Sequence, residues 1–252
     1  CLTPHRSLRS ALLAWSSRAS MRVTFDRSSG VMLSTHQVEY EDHAHEIERN
    51  VSLLSVVGCS PRDVVVPSLY PGDEDHTAAL SVLSACVDRP FICLAPGSVW
   101  ATKRWTEEGF AAVARELSTS HAIVLIGGVE DRTICARIAE TAGVPCINAA
   151  GSLSLLASAA CIGRAALLIS NDSAPVHMAS AMGTAVVVIF GATVPEFGFT
   201  PYGVPHRIVQ REDLTCKPCA IHGGDTCPVR TFECMRGLPS SVVLSAAREL
   251  LA

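Results

Sequence analysis

Asn171, Asp172, Ser173, Pro175 and His177 stand in "SNDSAPVHMASAMG", between the apolar runs "AALLIS" and "TAVVVIFG". Polar residues followed by a proline, with a histidine about one turn later, have the composition of a helix start rather than of a plain connection between buried strands. Asp172 or Ser173 suits the N-cap, and Pro175 suits the first turn. Backbone N–H groups at such an end, together with the helix dipole, form an anion seat, and His177 lies close enough to address the same anion. "APGSVWATKRW" adds Lys103 and Arg104 in a Gly/Ser loop, and "GGVEDR" adds Glu130 at another helix start. A diphosphate fits this seat, with Lys103 as its point charge. Glu130 suits a ribose hydroxyl or adenine, as the acid of dinucleotide folds does, although the glycine fingerprint of those folds is absent. A plainer alternative stays open. In it Asp172 and Ser173 only cap, His177 is a satisfied core histidine, and Glu130 complements a helix dipole.

The elements that position these residues read as alternating strands and helices from Phe91 onward. "FICLA", "AIVLI", "VPCINAAG", "ALLIS" and "VVVIF" are dominated by apolar residues, as strands buried on both faces are. "TEEGFAAVARELS" carries Phe110, Val113, Ala114 and Leu117 at helical spacing, and "EDRTICARIAETAG" carries Ile134, Ile138 and Ala142 with Gly143 as its stop. The pattern predicts an α/β, doubly wound Rossmann-like domain over 89–252, with its ligand beyond the carboxyl ends of the strands. The first 88 residues read as a partial domain. They hold a strand in "MRVTFD" and a helix in "HAHEIERNVSLLSVVG" with Ile47, Val51, Leu54 and Val57 apolar; "SPRDVVVPSLYPGDEDH" has the proline density of a linker. In "PHRSLRSALL", Arg6 and Arg9 share a face if the segment is helical, suited to acidic groups of a ligand or simply solvated.

Composition narrows the function classes. A net charge of −4 with 17% charged residues lacks the concentrated basic face of a nucleic-acid binder. No apolar run reaches the length of a membrane span, and Ala11–Trp15 is too short for a signal-peptide core. The 11 cysteines, many in apolar segments, then fit a reducing cytoplasmic setting. Cys216, Cys219, Cys227 and Cys234, with His222 among them, have a knuckle-like first pair that tetrahedral zinc would suit; packed thiols or a local disulfide are the alternatives. The Walker A, G-x-G-x-x-G, G-x-S-x-G and H-E-x-x-H patterns are absent, which disfavours an NTPase, a nicotinamide dehydrogenase, an α/β-hydrolase and a zincin.

"APGSVWATKRWTEEGFAAVA", "GGVEDR", "SNDSAPVHMASAMGTAVVVIFGATVPEFGFTPYG" and "LTCKPCAIHGGDTCPVRTFECM", in this order, resemble glycosyltransferase family 9, the ADP-heptose:lipopolysaccharide heptosyltransferases of the heptosyltransferase II kind. The resemblance implies a GT-B architecture. Residues 89–252 would bind the ADP-sugar and residues 1–88 would form part of the acceptor domain. It implies inverting transfer of heptose from ADP-L-glycero-D-manno-heptose to heptosyl-Kdo2-lipid A, with no cofactor and no metal. By residue, it implies donor contacts from Lys103, Glu130, Asp172, Ser173, Ala174 and His177, and acceptor contacts from Arg6 and Arg9. Family members carry their probable catalytic base after a first strand that precedes the region matched here, and the chain begins with Cys1. The expectation is therefore a member lacking the front of its first domain, acting in the cytoplasm at the inner membrane surface. The alternatives are a chain that binds ADP-sugar without transfer, or another GT-B sugar-nucleotide enzyme.

Overall fold

A computed structural model describes residues 1–59, 66–86 and 89–252. Contacts divide the chain into Cys1–Val65 with Glu196–Phe199, and Val66–Pro195 with Thr200–Ala252. This division falls at Val65/Val66, where the sequence places a boundary at residue 88; of the segment read as a linker, 60–65 lie outside the described residues and 73–76 form the first turn of a helix in the second unit.

The first unit is a small parallel sheet in the order β1 (Leu2–Thr3), β2 (Val23–Phe25), β3 (His36–Val38). The strand expected in "MRVTFD" is β2, with Val23 and Phe25 fully buried. Helix α1 spans Leu8–Ser16 and starts at Ser7, whose hydroxyl accepts from Ser10 N at 3.3 Å. That cap sets Arg6 before the helix, so it shares no helical face with Arg9. Arg6 instead lies over the Tyr40 ring at 4.0 Å, while Arg9 is exposed. Helix α2 (Glu46–Ser52) passes into a 3-10 turn over Leu53–Val57, shorter than the expected helix. Its inward positions are Arg49 and Leu53 rather than the four expected apolar residues. The guanidinium tolerates burial because it donates to Tyr40 Oη at 2.7 Å, Glu46 Oε2 at 2.6 Å and the Ala44 carbonyl at 2.6 Å.

The second unit opens with α3 (Asp73–Leu83). Asp73, Glu74 and Asp75 occupy its first turn, where acids complement the dipole, and Asp75 accepts from Gly72 N at 3.1 Å. There follow β4 (Phe91–Ala95), α4 (Glu107–Leu117), β5 (Ala122–Leu125), α5 (Arg132–Ala142), β6 (Cys146–Asn148), α6 (Leu155–Ile162), β7 (Leu167–Asn171), α7 (Ala174–Met182) and β8 (Val186–Phe190). The chain ends with β9 (His206–Gln210), the short α8 (Glu233–Arg236) and α9 (Ser240–Leu251). Six strands form one parallel sheet in the order β6-β5-β4-β7-β8-β9. Side chains alternate between its faces. Ile92, Leu94, Ile123, Leu125, Leu167 and Ile169 meet Phe110, Val113, Ile138 and Val243 on one side. Cys93, Val124, Leu168, Val186 and Val188 meet Ala79, Ala160, Val176 and Ala179 on the other. Helices on both faces are the reason β4, β5 and β8 are apolar at every position. The order reverses between β4 and β7: connections from β4 run one way and those from β7 the other. Such a switch point leaves a crevice beyond the strand ends.

Candidate functional site

A cleft of about 590 Å³ occupies that crevice. Its walls are the loops after β4 (Gly97, Ser98, Val99), after β5 (Gly127, Gly128, Glu130, Asp131) and the start of α7 (Ser173, Ala174, Pro175). Ile126, Leu153, Leu155 and Met178 give it an apolar side, and Arg104 stands at its margin. Close approach of the loops depends on glycine. A Cβ at Gly97 would collide with the Asp131 carboxylate, and one at Gly127 would lie 2.7 Å from the same side chain. Asp131 Oδ2 meanwhile accepts from Gly128 N at 2.9 Å, which folds the loop after β5 around its own carboxylate.

Asn171, the last residue of β7, is fully buried and ties two of these walls together. Its Nδ2 donates to the Pro96 carbonyl at 2.7 Å and its Oδ1 accepts from Trp105 N at 3.0 Å. Trp105 is anchored in turn by Nε1 donating to the Leu238 carbonyl at 3.2 Å. The polar residue beside a buried strand therefore answers the backbone of its neighbour, as buried amides must.

Of the residues expected from sequence, Glu130, Ser173 and Ala174 line the cleft, and Lys103, Asp172 and His177 do not. Lys103 Nζ lies 2.6 Å from Asp172 Oδ2, with the side chains 14% and 7% exposed. Thr193 Oγ1 donates to the same oxygen at 2.7 Å. Asp172 is thus the buried counter-ion of Lys103 rather than a helix cap. Ser173 is the N-cap residue, yet its hydroxyl makes no capping bond. It donates instead to the Gly97 and Asn171 carbonyls, at 3.4 and 3.3 Å. His177 is exposed on α7, so it is neither a core histidine nor part of the cleft lining. Arg104, Asp131 and the apolar wall line the cleft without having been singled out as donor contacts in the sequence, and Asn171 stands behind it as a tie between backbones. The signal for Asn171, Arg104 and Asp131 was their place at the end of β7 and in the loops that follow β4 and β5.

The cysteine-rich segment folds beside the loop that carries Lys103. Gly224 N donates to Thr102 Oγ1 at 2.8 Å, Thr102 N to the Gly224 carbonyl at 3.0 Å, and Cys219 N to the Ala192 carbonyl at 2.8 Å. All 11 cysteines are free thiols. Among the described residues no group of three or more His, Cys, Asp or Glu side chains is arranged to hold a metal ion. Nor is any helix among them long and apolar enough to cross a membrane.

The family model for glycosyltransferase family 9 (heptosyltransferase) matches residues 2–225. The lipooligosaccharide heptosyltransferase 2 of Campylobacter jejuni is 31% identical over 164 residues, 63% of this chain and 50% of that protein. The chain thus spans about half the length of the curated relatives it matches first. A family 9 glycosyltransferase of Veillonella parvula superposes with TM-score 0.81 at 23% identity, over 98% of this chain and 72% of that one. The Escherichia coli ADP-heptose heptosyltransferase II does so with TM-score 0.77 at 20% identity, over 99% of this chain and 75% of that one.

Proposed function

The chain belongs to glycosyltransferase family 9, and from that premise we propose that it transfers a heptose, with inversion, from ADP-L-glycero-D-manno-heptose to the inner core of lipopolysaccharide. The observation that carries the donor half is the cleft at the switch point of β4 and β7, walled by three strand-end loops. Open parallel sheets bind nucleotides in this place. The apolar wall of Ile126, Leu153, Leu155 and Met178 takes the adenine, and Glu130 accepts hydrogen bonds from the ribose. Backbone at Ser173 and Ala174, at the positive end of α7, holds the diphosphate.

In the transfer step the acceptor hydroxyl oxygen bonds to the anomeric carbon as the bond to the ADP oxygen breaks, and the hydroxyl proton passes to a base. The developing charge on ADP is met by groups already in place, which is where such sites gain most. Lys103 and Asp172 contribute as a pair that holds the loop after β4 near the start of α7. Arg9, exposed on α1, is offered to anionic groups of the acceptor; Arg6 is engaged by Tyr40 and has the weaker claim. The lipid-linked acceptor brings the protein to the cytoplasmic face of the inner membrane.

The test is an assay with ADP-heptose and heptosyl-Kdo2-lipid A, following ADP release and acceptor mass, alongside calorimetry with ADP. Acceptor-dependent ADP release and a mass gain of one heptose are expected. Failure to bind ADP would remove the donor site, and binding without transfer would remove the proposed activity.

A further inference from the structure

We propose that Cys227 and Cys219 form a peroxide-sensitive thiol pair, and that joining them acts on the loop after β4 that carries Lys103. The chemistry at sulfur stands by itself; only its effect on a nucleotide rests on the cleft being the donor site. The cysteine-rich segment is a motif that the cleft leaves without a role, and its thiols are free.

Cys227 is seated as an anion would be. The chain folds back on it: Arg230 N donates to the Cys227 carbonyl at 2.9 Å, and Phe232 N donates to Cys227 Sγ at 3.4 Å. Arg230 and Phe232 take φ of 62° and 53°, left-handed backbone that such residues adopt at a cost. Here it turns N–H groups toward sulfur. Burial works against a thiolate, but bonds from the Phe232, Val229, Thr231 and Arg230 N–H groups outweigh it and hold the Cys227 thiol below its ordinary value. The thiolate is the reactive form of cysteine. The residue is 8% exposed, an opening for a small oxidant rather than a bulky one.

Cys219 is the thiol suited to answer it. It is half-buried, and burial, then the charges of Cys216 and Cys227, push its thiol above the ordinary value. Cys234, by contrast, is locked into a hydrophobic cluster with Met235. The Cys227 thiolate attacks one oxygen of hydrogen peroxide. The O–O bond breaks, hydroxide leaves, and sulfur is oxidised by two electrons to a sulfenic acid. The Cys219 sulfur then attacks that sulfur. The S–S bond forms as the S–O bond breaks, and the Cys219 proton leaves with the hydroxyl as water.

The stretch between the two cysteines touches the loop after β4. Gly224 N donates to Thr102 Oγ1 at 2.8 Å. A Cβ at Gly223, whose φ is +84°, would stand 3.1 Å from Thr102 Oγ1 and 3.2 Å from Lys103 Cγ. Cys219 N donates to the Ala192 carbonyl at 2.8 Å, next to Thr193, which donates to Asp172. Drawing the sulfurs to a bond length of about 2 Å moves this stretch against both partners of the Lys103–Asp172 pair. Nucleotide affinity then falls.

The full chain, reduced and then treated with hydrogen peroxide, is alkylated, digested and read by mass spectrometry. Peptides joined through Cys219 and Cys227 are expected, and reduction should separate them. In Cys219→Ser, oxidation should stop at a sulfenic acid on Cys227 that dimedone traps. Calorimetry should show at least threefold weaker ADP binding by the oxidised chain, recovery on reduction, and no response to peroxide in Cys227→Ser. The unaltered chain in its two states needs no substitution, so the comparison stands even where a variant fails to fold. Disulfides among other cysteines with Cys227 left as a thiol would overturn the pair, as would about one equivalent of zinc or iron held by these thiols in the purified chain. A Cys219–Cys227 disulfide with unchanged ADP affinity would overturn its action on the loop. No ADP binding by the reduced chain would overturn the donor-site reading and leave the sulfur chemistry standing.

Discussion

Lys103 and Asp172 form a shielded ion pair, and such pairs are costly to break from one side. Removing one partner strands a charge, at about 3–5 kcal/mol for a fully buried pair. We expect Lys103→Met to lower the urea midpoint clearly and Lys103→Met with Asp172→Asn to recover much of the loss. Additive effects in that double-mutant cycle would show that the two side chains do not depend on each other. Cys135 supplies a pH test. Burial, aided by Asp131, pushes its thiol from the usual 9.0 to about 12. The folded chain thus keeps a proton that the unfolded chain releases near pH 9.0, so this contribution is complete below that pH and fades as pH rises toward 12. Urea titrations across the alkaline range should show falling stability, with a shallower fall in Cys135→Ser. This scale was the least legible in the sequence. Asp172 and Ser173 were recognisable as residues of a helix start. Whether their oxygens meet N–H groups of α7 or answer Lys103, Thr193 and a carbonyl of another loop depends on chain far away in sequence.

At the scale of elements, β4 through β8 and the helices between them follow from hydrophobic period, because a strand covered on both faces and a helix covered on one leave different spacings. β9 was not visible. It pairs with β8 alone, and its residues are mostly exposed or half-buried, so "HRIVQ" lacks the continuous apolar run. α3 was hidden behind a proline-rich approach and an acidic first turn, although Ala79 and Leu83 are buried on it. Two substitutions test what binds the elements. Ile92→Ala empties a fully buried place on β4 and should cost about 2–5 kcal/mol by urea unfolding. Asn171→Ala orphans the Pro96 carbonyl and Trp105 N, each worth about 1–3 kcal/mol. It should also weaken ADP binding, because both freed groups belong to the loop after β4. Lost stability with unchanged ADP affinity would separate Asn171 from the cleft.

For the molecule as a whole, the second unit has its own sheet, helices on both faces, and every residue of the cleft. Residues 66–252 expressed alone should therefore unfold cooperatively by circular dichroism and bind ADP as the full chain does. An unfolded product, or one blind to ADP, would show that the second unit needs the first. The tie at Asn171 bears on kinetics as well. A crevice whose walls are already clamped to each other admits its guest without first rearranging, so encounter and capture merge into one event. In stopped flow with a fluorescent ADP analogue, the observed rate should climb in proportion to nucleotide concentration with no ceiling, and loosening that clamp should introduce one.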